Sequence, residues 1–244
     1  MKYDALAPIY DRLMYHVEYD EWVSLIGRII SKFSSVKSPA IYEIGGGTGL
    51  LGQRLVAEGY SYQGSDFSFQ MCQEAKSKGL PFFCADGRSL PLKQKFDLVI
   101  FLYDGINYLL TLEEYASLFS QVANILPKGG LFLFDITTET NSISHFIDYL
   151  DFEDYGDYSF VRRSYYDDTK TTQYNEFTIF KLDQKKPPLY QKYKEHHEQK
   201  VFPVKLLEET IPRSHFHIVG IYDGYTFRKY SSRSERIHFL LKKI

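Results

Sequence analysis

Apolar side chains recur at helical spacing in Trp22, Leu25, Ile26, Ile29 and Ile30, which predicts a helix starting near Asp20. Ahead of it, residues 1–20 are polar-aromatic, with a Tyr-Asp pair at 3–4, 10–11 and 19–20, and predict a loose helix-and-turn segment. From Ala40 onward the pattern changes. Apolar runs at 40–44, 80–86, 96–103 and 131–136, with a weakly patterned segment at 61–66 that ends in an acid, predict five strands. Residues 50–56, 67–78 and 112–126 predict helices between them, with Gly59 as a C-cap. The run 96–103 is unbroken by polar residues except Asp97, as in a central parallel strand buried on both faces. Alternation of strand and helix implies a parallel sheet covered by helices on both sides, with right-handed crossovers.

Beyond residue 137 the period is different. Residues 138–155 are weakly patterned and predict helix and loop. Segments 159–166, 171–182 and 189–202 are rich in Tyr, Thr and Phe and predict three antiparallel strands. A short helix is expected at 203–211, then strands six and seven at 216–225 and 236–243. Only about ten polar residues join these two, too few for a parallel crossover, so they should pair antiparallel. The chain therefore divides into one α/β domain, 1–137 with 203–244, interrupted by a β-rich subdomain at 138–202 inserted after strand five.

Composition narrows the setting. The 244 residues are 44% hydrophobic and 25% charged, as in ordinary globular domains. A net charge of −2 disfavours nucleic acid as a general partner, because counterion release needs a basic field. Two cysteines, Cys72 and Cys84, make no metal-ligand spacing or disulfide framework and read as two small buried apolar residues in a reducing compartment. No segment approaches transmembrane length and the first residues do not form a signal peptide, so the expected location is cytoplasmic. Oligomeric state leaves no mark in the sequence. Aromatic content is 17%, with 21 Tyr and 19 Phe, more than strands alone require; tyrosines at a ligand mouth are a second use.

The chemistry concentrates after the first strand. Glu43-Ile44 is followed by glycine at 45, 46, 47 and 49, and a helix begins at once. Strand, glycine turn and helix bring backbone N–H groups close to a ligand. Glu43, Asp66, Asp86, Asp104 and Asp135 all fall at or just past strand C-termini, the edge where open α/β sheets bind ligands. A dinucleotide fingerprint counted from Gly45 fails at Leu50. Counted from Gly47 it matches by letter through Gly52, but it then begins inside the turn into the helix.

The pattern acid-x-Gly-x-Gly-x-Gly is filled completely by residues 43–49. With Asp66 closing strand two, Ala85-Asp86-Gly87 closing strand three, Phe96-Asp97-Leu98-Val99 opening strand four and Leu126-Pro127-Lys128-Gly129-Gly130 before strand five, the chain resembles class I S-adenosylmethionine-dependent methyltransferases. An antiparallel strand seven is that family's hallmark. The opening Tyr3-Asp4-x-x-Ala7-x-x-Tyr10-Asp11 and the insertion after strand five resemble its glycine and amino-sugar N-methyltransferase group. The resemblance implies a Rossmann-like, seven-stranded, mostly parallel sheet with an antiparallel strand seven, and S-adenosylmethionine as cofactor. It implies a small-molecule acceptor, an amine or hydroxyl before carbon. The Asn/Asp-Pro-Pro-Tyr/Phe signature is absent after strand four, which argues against adenine or glutamine N-methylation.

On that resemblance Asp66 would accept the ribose hydroxyls and Asp86 the adenine amino group, with Ala85 and Gly87 leaving room for the ring. Gly45, Gly46 and Gly47 would approach the methionine part, and Glu43 would orient its amine. Phe67, Met71 and Leu102 would be apolar wall, and Tyr3 and Tyr10 a cover. Tyr103, Asp104 and Asn107, after strand four, would orient the acceptor. Methyl transfer needs positioning and desolvation rather than a protein nucleophile. His196 and His197 are adjacent on a predicted strand, so they point to opposite faces and no metal site is expected. His197, Arg162 and Tyr165 read as exposed strand decoration, with the substrate cleft as the alternative. Two other functions compete: a nicotinamide-dependent oxidoreductase, and a protein that binds S-adenosylmethionine without catalysis.

Overall fold

Leu98–Phe101, the buried part of the longest apolar run, is the middle strand of a seven-stranded sheet. The computed structural model describes residues 3–244. In chain order, a 3-10 turn (Ala7–Ile9) leads to α1 (Tyr10–Leu13) and α2 (Tyr19–Phe33). Next come β1 (Ala40–Ile44), α3 (Leu50–Ala57), β2 (Ser61–Asp66), α4 (Phe69–Ser77), β3 (Phe82–Cys84) and β4 (Leu98–Phe101). A 3-10 turn (Gly105–Tyr108), α5 (Leu112–Ile125), β5 (Leu131–Thr137) and α6 (Glu139–Phe146) follow. The chain ends with β6 (Tyr149–Asp154), β7 (Tyr158–Asp167), β8 (Thr172–Lys185), β9 (Pro188–Lys200), α7 (Val204–Thr210), β10 (Phe216–Asp223) and β11 (Arg236–Lys243).

The large sheet has the order β10-β11-β5-β4-β1-β2-β3. β1 to β5 pair parallel, and β11 runs antiparallel to both β5 and β10. Both faces are buried. Tyr42, Val99, Phe132, Phe134 and Phe239 point one way, onto Leu118, Phe119 and Val122 of α5. Ile41, Leu98, Ile100, Leu133 and Leu240 point the other way, onto Trp22, Leu25, Ile26 and Ile29 of α2 and Leu51 and Leu55 of α3. Each fully buried side chain of this size contributes roughly 1.5–3 kcal/mol, so the helical stripe read at 22–30 is what docks α2. Thr111 and Glu114 form a capping box that starts α5.

A second sheet, β6-β7-β8-β9, is antiparallel throughout. It has four strands, not the three expected. Residues 149–154 were expected as part of a helix-and-loop stretch and instead form β6. The reason is an inverted polarity: Leu150 and Phe152 are exposed, while Asp151 turns inward to Arg162 at 2.9 Å. An edge strand with its apolar side in water shows no buried stripe. The cysteine expectation also needs correcting: Cys72 is buried, but Cys84, at the end of the short β3, is exposed. Leu6, Ile9 and Leu13 pack against Phe160, Phe177 and Ile179, so the N-terminal segment is sandwiched between the two sheets. Among the described residues no helix is long and apolar enough to cross a membrane.

Candidate active site

The C-terminal edge of the large sheet opens into a cavity of about 610 Å³, walled on the far side by the second sheet and covered by residues 3–22. The glycine loop forms its floor. Gly45, Gly47 and Gly49 have φ of +64°, +57° and +82°, a region other residues avoid. At Gly45 a Cβ would also lie 2.6 Å from the ring of Phe101, so close packing onto β4 reinforces the choice. The loop is tied to β2: the Gly46 N–H donates to Ser65 O at 3.0 Å, and the Gly47 N–H to Asp66 Oδ2 at 2.9 Å.

Asp66 also accepts from the Ser68 N–H at 2.8 Å, and it faces the cavity. Burial lifts its carboxyl to about 6, against the pull of the Ser68 and Gly47 amides. Glu43 lies behind Gly46, 4% exposed, with the Tyr62 hydroxyl donating to it. Its burial lifts it to about 7. Asp86 is different. Arg88 grips it through Nε at 2.9 Å and Nη2 at 2.6 Å, and bridges onward to Glu114. The guanidinium holds the Asp86 carboxyl below its ordinary range.

Where the two sheets meet, just past the end of β4, come two consecutive residues of positive φ, Tyr103 at +62° and Asp104 at +51°. Strained backbone of this kind persists only where surroundings hold it. Here the Asp104 N–H donates to Asp135 at 3.1 Å, and its carboxylate takes Arg236 Nη2 at 2.8 Å and Gln199 Nε2 at 2.5 Å. Arg236 also pairs with Asp135 and lies 4.8 Å from the centre of the Tyr103 ring. Burial raises Asp135 to about 6 despite that pairing. Two carboxylates thus share one guanidinium.

Of the residues singled out from sequence, Tyr3, Tyr10, Glu43, Gly45, Gly46, Gly47, Asp66, Phe67, Met71, Ala85, Asp86, Gly87, Leu102, Tyr103 and Asp104 all line this one cavity. Asn107 does not. It is 1% exposed, donates to Lys200 O at 2.8 Å and accepts from the Thr137 N–H at 3.1 Å, so it braces the post-β4 loop between β5 and β9. Arg162 lines the cavity, whereas Tyr165 stacks on Tyr174 at 5.0 Å away from it. His196 and His197 do face opposite ways: their side chains are 49% and 1% exposed. His197 is therefore not surface decoration. Sequence reading passed over Arg236, Gln199, Gln173, Asn175 and Tyr108, all on the wall. The available signal for Arg236 was its place at the start of the strand that pairs beside β5, with Thr137 opposite it.

Residues 41–130 match the family model for a methyltransferase domain. A curated protein of Geobacillus sp. (strain WCH70), provisionally named a methyltransferase, is 28% identical over 250 residues, with the whole of both chains covered. The crystal structure of an S-adenosylmethionine-dependent methyltransferase from Clostridium acetobutylicum superposes with a TM-score of 0.80 at 25% identity, covering 98% of each chain. The chain is a class I S-adenosylmethionine-dependent methyltransferase. In fold the methyltransferase is also similar to CalS10 of Micromonospora echinaspora, an amino pentose methyltransferase solved with S-adenosylmethionine bound: TM-score 0.69, 16% identity, 93% of this chain and 91% of that one.

The enzyme's cofactor is S-adenosylmethionine, and the cavity chemistry suits it. Unpaired carboxylate lone pairs at Asp66 match a diol, and the acids Glu43 and Asp66 on the floor match a cation rather than a pyrophosphate. The antiparallel β11 sets this methyltransferase apart from the dinucleotide folds considered as an alternative.

Proposed function

We propose that the enzyme methylates a small-molecule amine, and that residues 138–202 act as its substrate-binding and covering subdomain. The observation that carries this reading is the Asp104–Arg236 pair on the cavity wall, with Asp135 fully buried behind it on the same guanidinium. With two acids to one guanidinium it favours a cationic or strongly hydrogen-bond-donating acceptor over an anion. A cavity of about 610 Å³ suits a cofactor and a small acceptor.

In this reading Asp66 accepts the ribose hydroxyls, and Asp86, held in place by Arg88, offers its remaining lone pairs to the adenine amino group. Gly45, Gly46 and Gly47 admit the methionine part, and Glu43 stands behind them toward its amine. Phe67, Met71, Ala85, Gly87 and Leu102 wall the base. Tyr3 and Tyr10 cover the site; a Cβ at Gly47 would be 3.6 Å from Tyr10. When bound, the cofactor supplies an electrophilic methyl group on a sulfonium. Tyr103 and Asp104 orient the acceptor, and Asn107 acts through them by fixing their loop. CalS10, a neighbour in fold, is named for an amino sugar, which agrees with an amine acceptor. The free thiols fit the cytoplasm.

The test is incubation with methyl-labelled S-adenosylmethionine and individual fractions of a small-molecule extract. Label on an amine nitrogen supports the reading. Label only on oxygen or carbon acceptors overturns the amine assignment, and no labelled small molecule from any fraction overturns the small-molecule reading.

A further inference from the structure

His197 and Glu195 sit behind the cavity wall on β9, 1% and 7% exposed. Glu195 accepts from the Tyr3 N–H at 2.6 Å, the Ala5 N–H at 2.6 Å, the Leu6 N–H at 3.1 Å and His197 Nε2 at 3.0 Å. Burial alone would raise its carboxyl, but His197 and the amides outweigh it and hold the group below its ordinary range. An ionised carboxylate only accepts hydrogen bonds. Nε2 of His197 therefore carries the proton, and in the neutral ring Nδ1 is an acceptor. The Tyr108 hydroxyl lies 3.3 Å from Nδ1 and donates to it. The Tyr3 hydroxyl, 2.5 Å from that of Tyr108, donates in turn. The chain of donors thus has one direction: Tyr3, Tyr108, His197, Glu195. Both phenols line the cavity.

We propose that this chain takes up the proton that the methyl acceptor releases. Tyr3 touches the acceptor, Tyr108 relays, His197 is the base, and Glu195 is a positioning residue that fixes the imidazole tautomer. The inference rests on the cavity being a methyl-transfer site for an N–H or O–H acceptor. The acceptor atom takes the methyl group with its lone pair, and the carbon–sulfur pair leaves with sulfur. The acceptor's N–H or O–H pair then stays on that atom while its proton passes to the Tyr3 oxygen. The Tyr3 proton moves to Tyr108 and the Tyr108 proton to Nδ1. The resulting imidazolium is held against Glu195 until it loses the proton to water after product release. Burial keeps both phenols protonated well beyond the ordinary range, so they pass protons without storing charge.

The first test needs no acceptor. Nitrogen NMR of the full-length protein with labelled histidine should show His197 as the Nε2–H tautomer, with an Nδ1 shift that moves in Tyr108→Phe. An Nδ1–H tautomer, or an Nδ1 shift indifferent to Tyr108→Phe, overturns the chain. The second test measures turnover with the best acceptor among glycine, glucosamine and tyramine, or with the acceptor found from extracts. His197→Gln and Tyr108→Phe should lower kcat by about a hundredfold or more while the S-adenosylhomocysteine Kd stays within about twofold. Unchanged kcat overturns the proposal, and so does a Kd that rises in step with the loss of kcat, which marks a merely structural role. If the protein transfers methyl to no N–H or O–H acceptor, the reading beneath the inference fails, and the NMR result still reports separately whether the chain exists.

Discussion

Replacing Asp66 with asparagine removes one charge from the cavity floor and turns one of its two accepting oxygens into a donor, so either the Gly47 or the Ser68 N–H also loses its acceptor. The residue sits at the end of β2, takes the Gly47 and Ser68 N–H groups at 2.9 and 2.8 Å, and turns its remaining lone pairs into the cavity. A charge-assisted contact to a ribose hydroxyl is worth roughly 1.5–3 kcal/mol. Asp66→Asn should therefore weaken S-adenosylhomocysteine binding by about 10–150-fold at pH 7.5. A second signature comes from burial, which places the wild-type carboxyl at about 6. Between pH 5 and pH 7 its ionised fraction rises from about a tenth to about nine-tenths, so wild-type affinity should rise nearly tenfold over that range. The variant should lose this rise and keep only the later contribution of Glu43, which titrates near 7. Isothermal titration calorimetry across this pH range measures both, with a thermal melt of the unliganded variant to confirm that it is folded. A Kd within twofold of wild type, or an unchanged pH slope, would refute the assignment of Asp66 to the cofactor.

The unliganded protein should also be more stable at pH 5.5 than at pH 7.5. Glu43, Asp66 and Asp135 have folded values raised to about 7, 6 and 6, so their contributions are present in acid and lost as pH rises through that window. His238, lowered to about 4 by burial, works the opposite way below 6.5 but is one group against three. The balance is on the order of 2 kcal/mol, or roughly 4–8 °C in Tm. Glu43→Gln should shrink the difference; a wild-type Tm that climbs from pH 5.5 to 7.5 contradicts it. Arg236→Met leaves Asp104 and Asp135 facing each other without a counter-charge and should cost about 3–5 kcal/mol, read as a lower urea midpoint with Arg236→Lys partly restoring it. An unaltered midpoint would show that the guanidinium is not what allows the two acids to sit side by side.

Much of the large sheet is visible in the sequence because its signals are local. The stripe at 22–30, the run at 98–101 and the glycines at 45–49 each encode their element within a few residues. The antiparallel β11 follows from a linker too short to cross the sheet. The second sheet is legible only in part. β6 is an edge strand whose apolar side chains face water, so it carries no buried stripe to read. The cofactor side of the cavity comes from motifs contiguous in sequence. The acceptor side does not: Asp104 meets Gln199 and Arg236 across 95 and 132 residues of chain. Asn107 illustrates the limit of reading a position without its partners. It lies in the loop where acceptor-facing residues belong, yet its amide is consumed by Lys200 and Thr137. His197 is the reverse case, a histidine in a charged strand that the alternation of β9 turns fully inward.

The most direct test is to supply methyl-labelled S-adenosylmethionine together with a complete cellular extract, in parallel with the Asp104→Asn protein. The account predicts label on the nitrogen of a small amine, formed by the wild type and lost or strongly reduced in the variant. Label found only in RNA or protein, or on a small molecule at the same rate with Asp104→Asn, would contradict it.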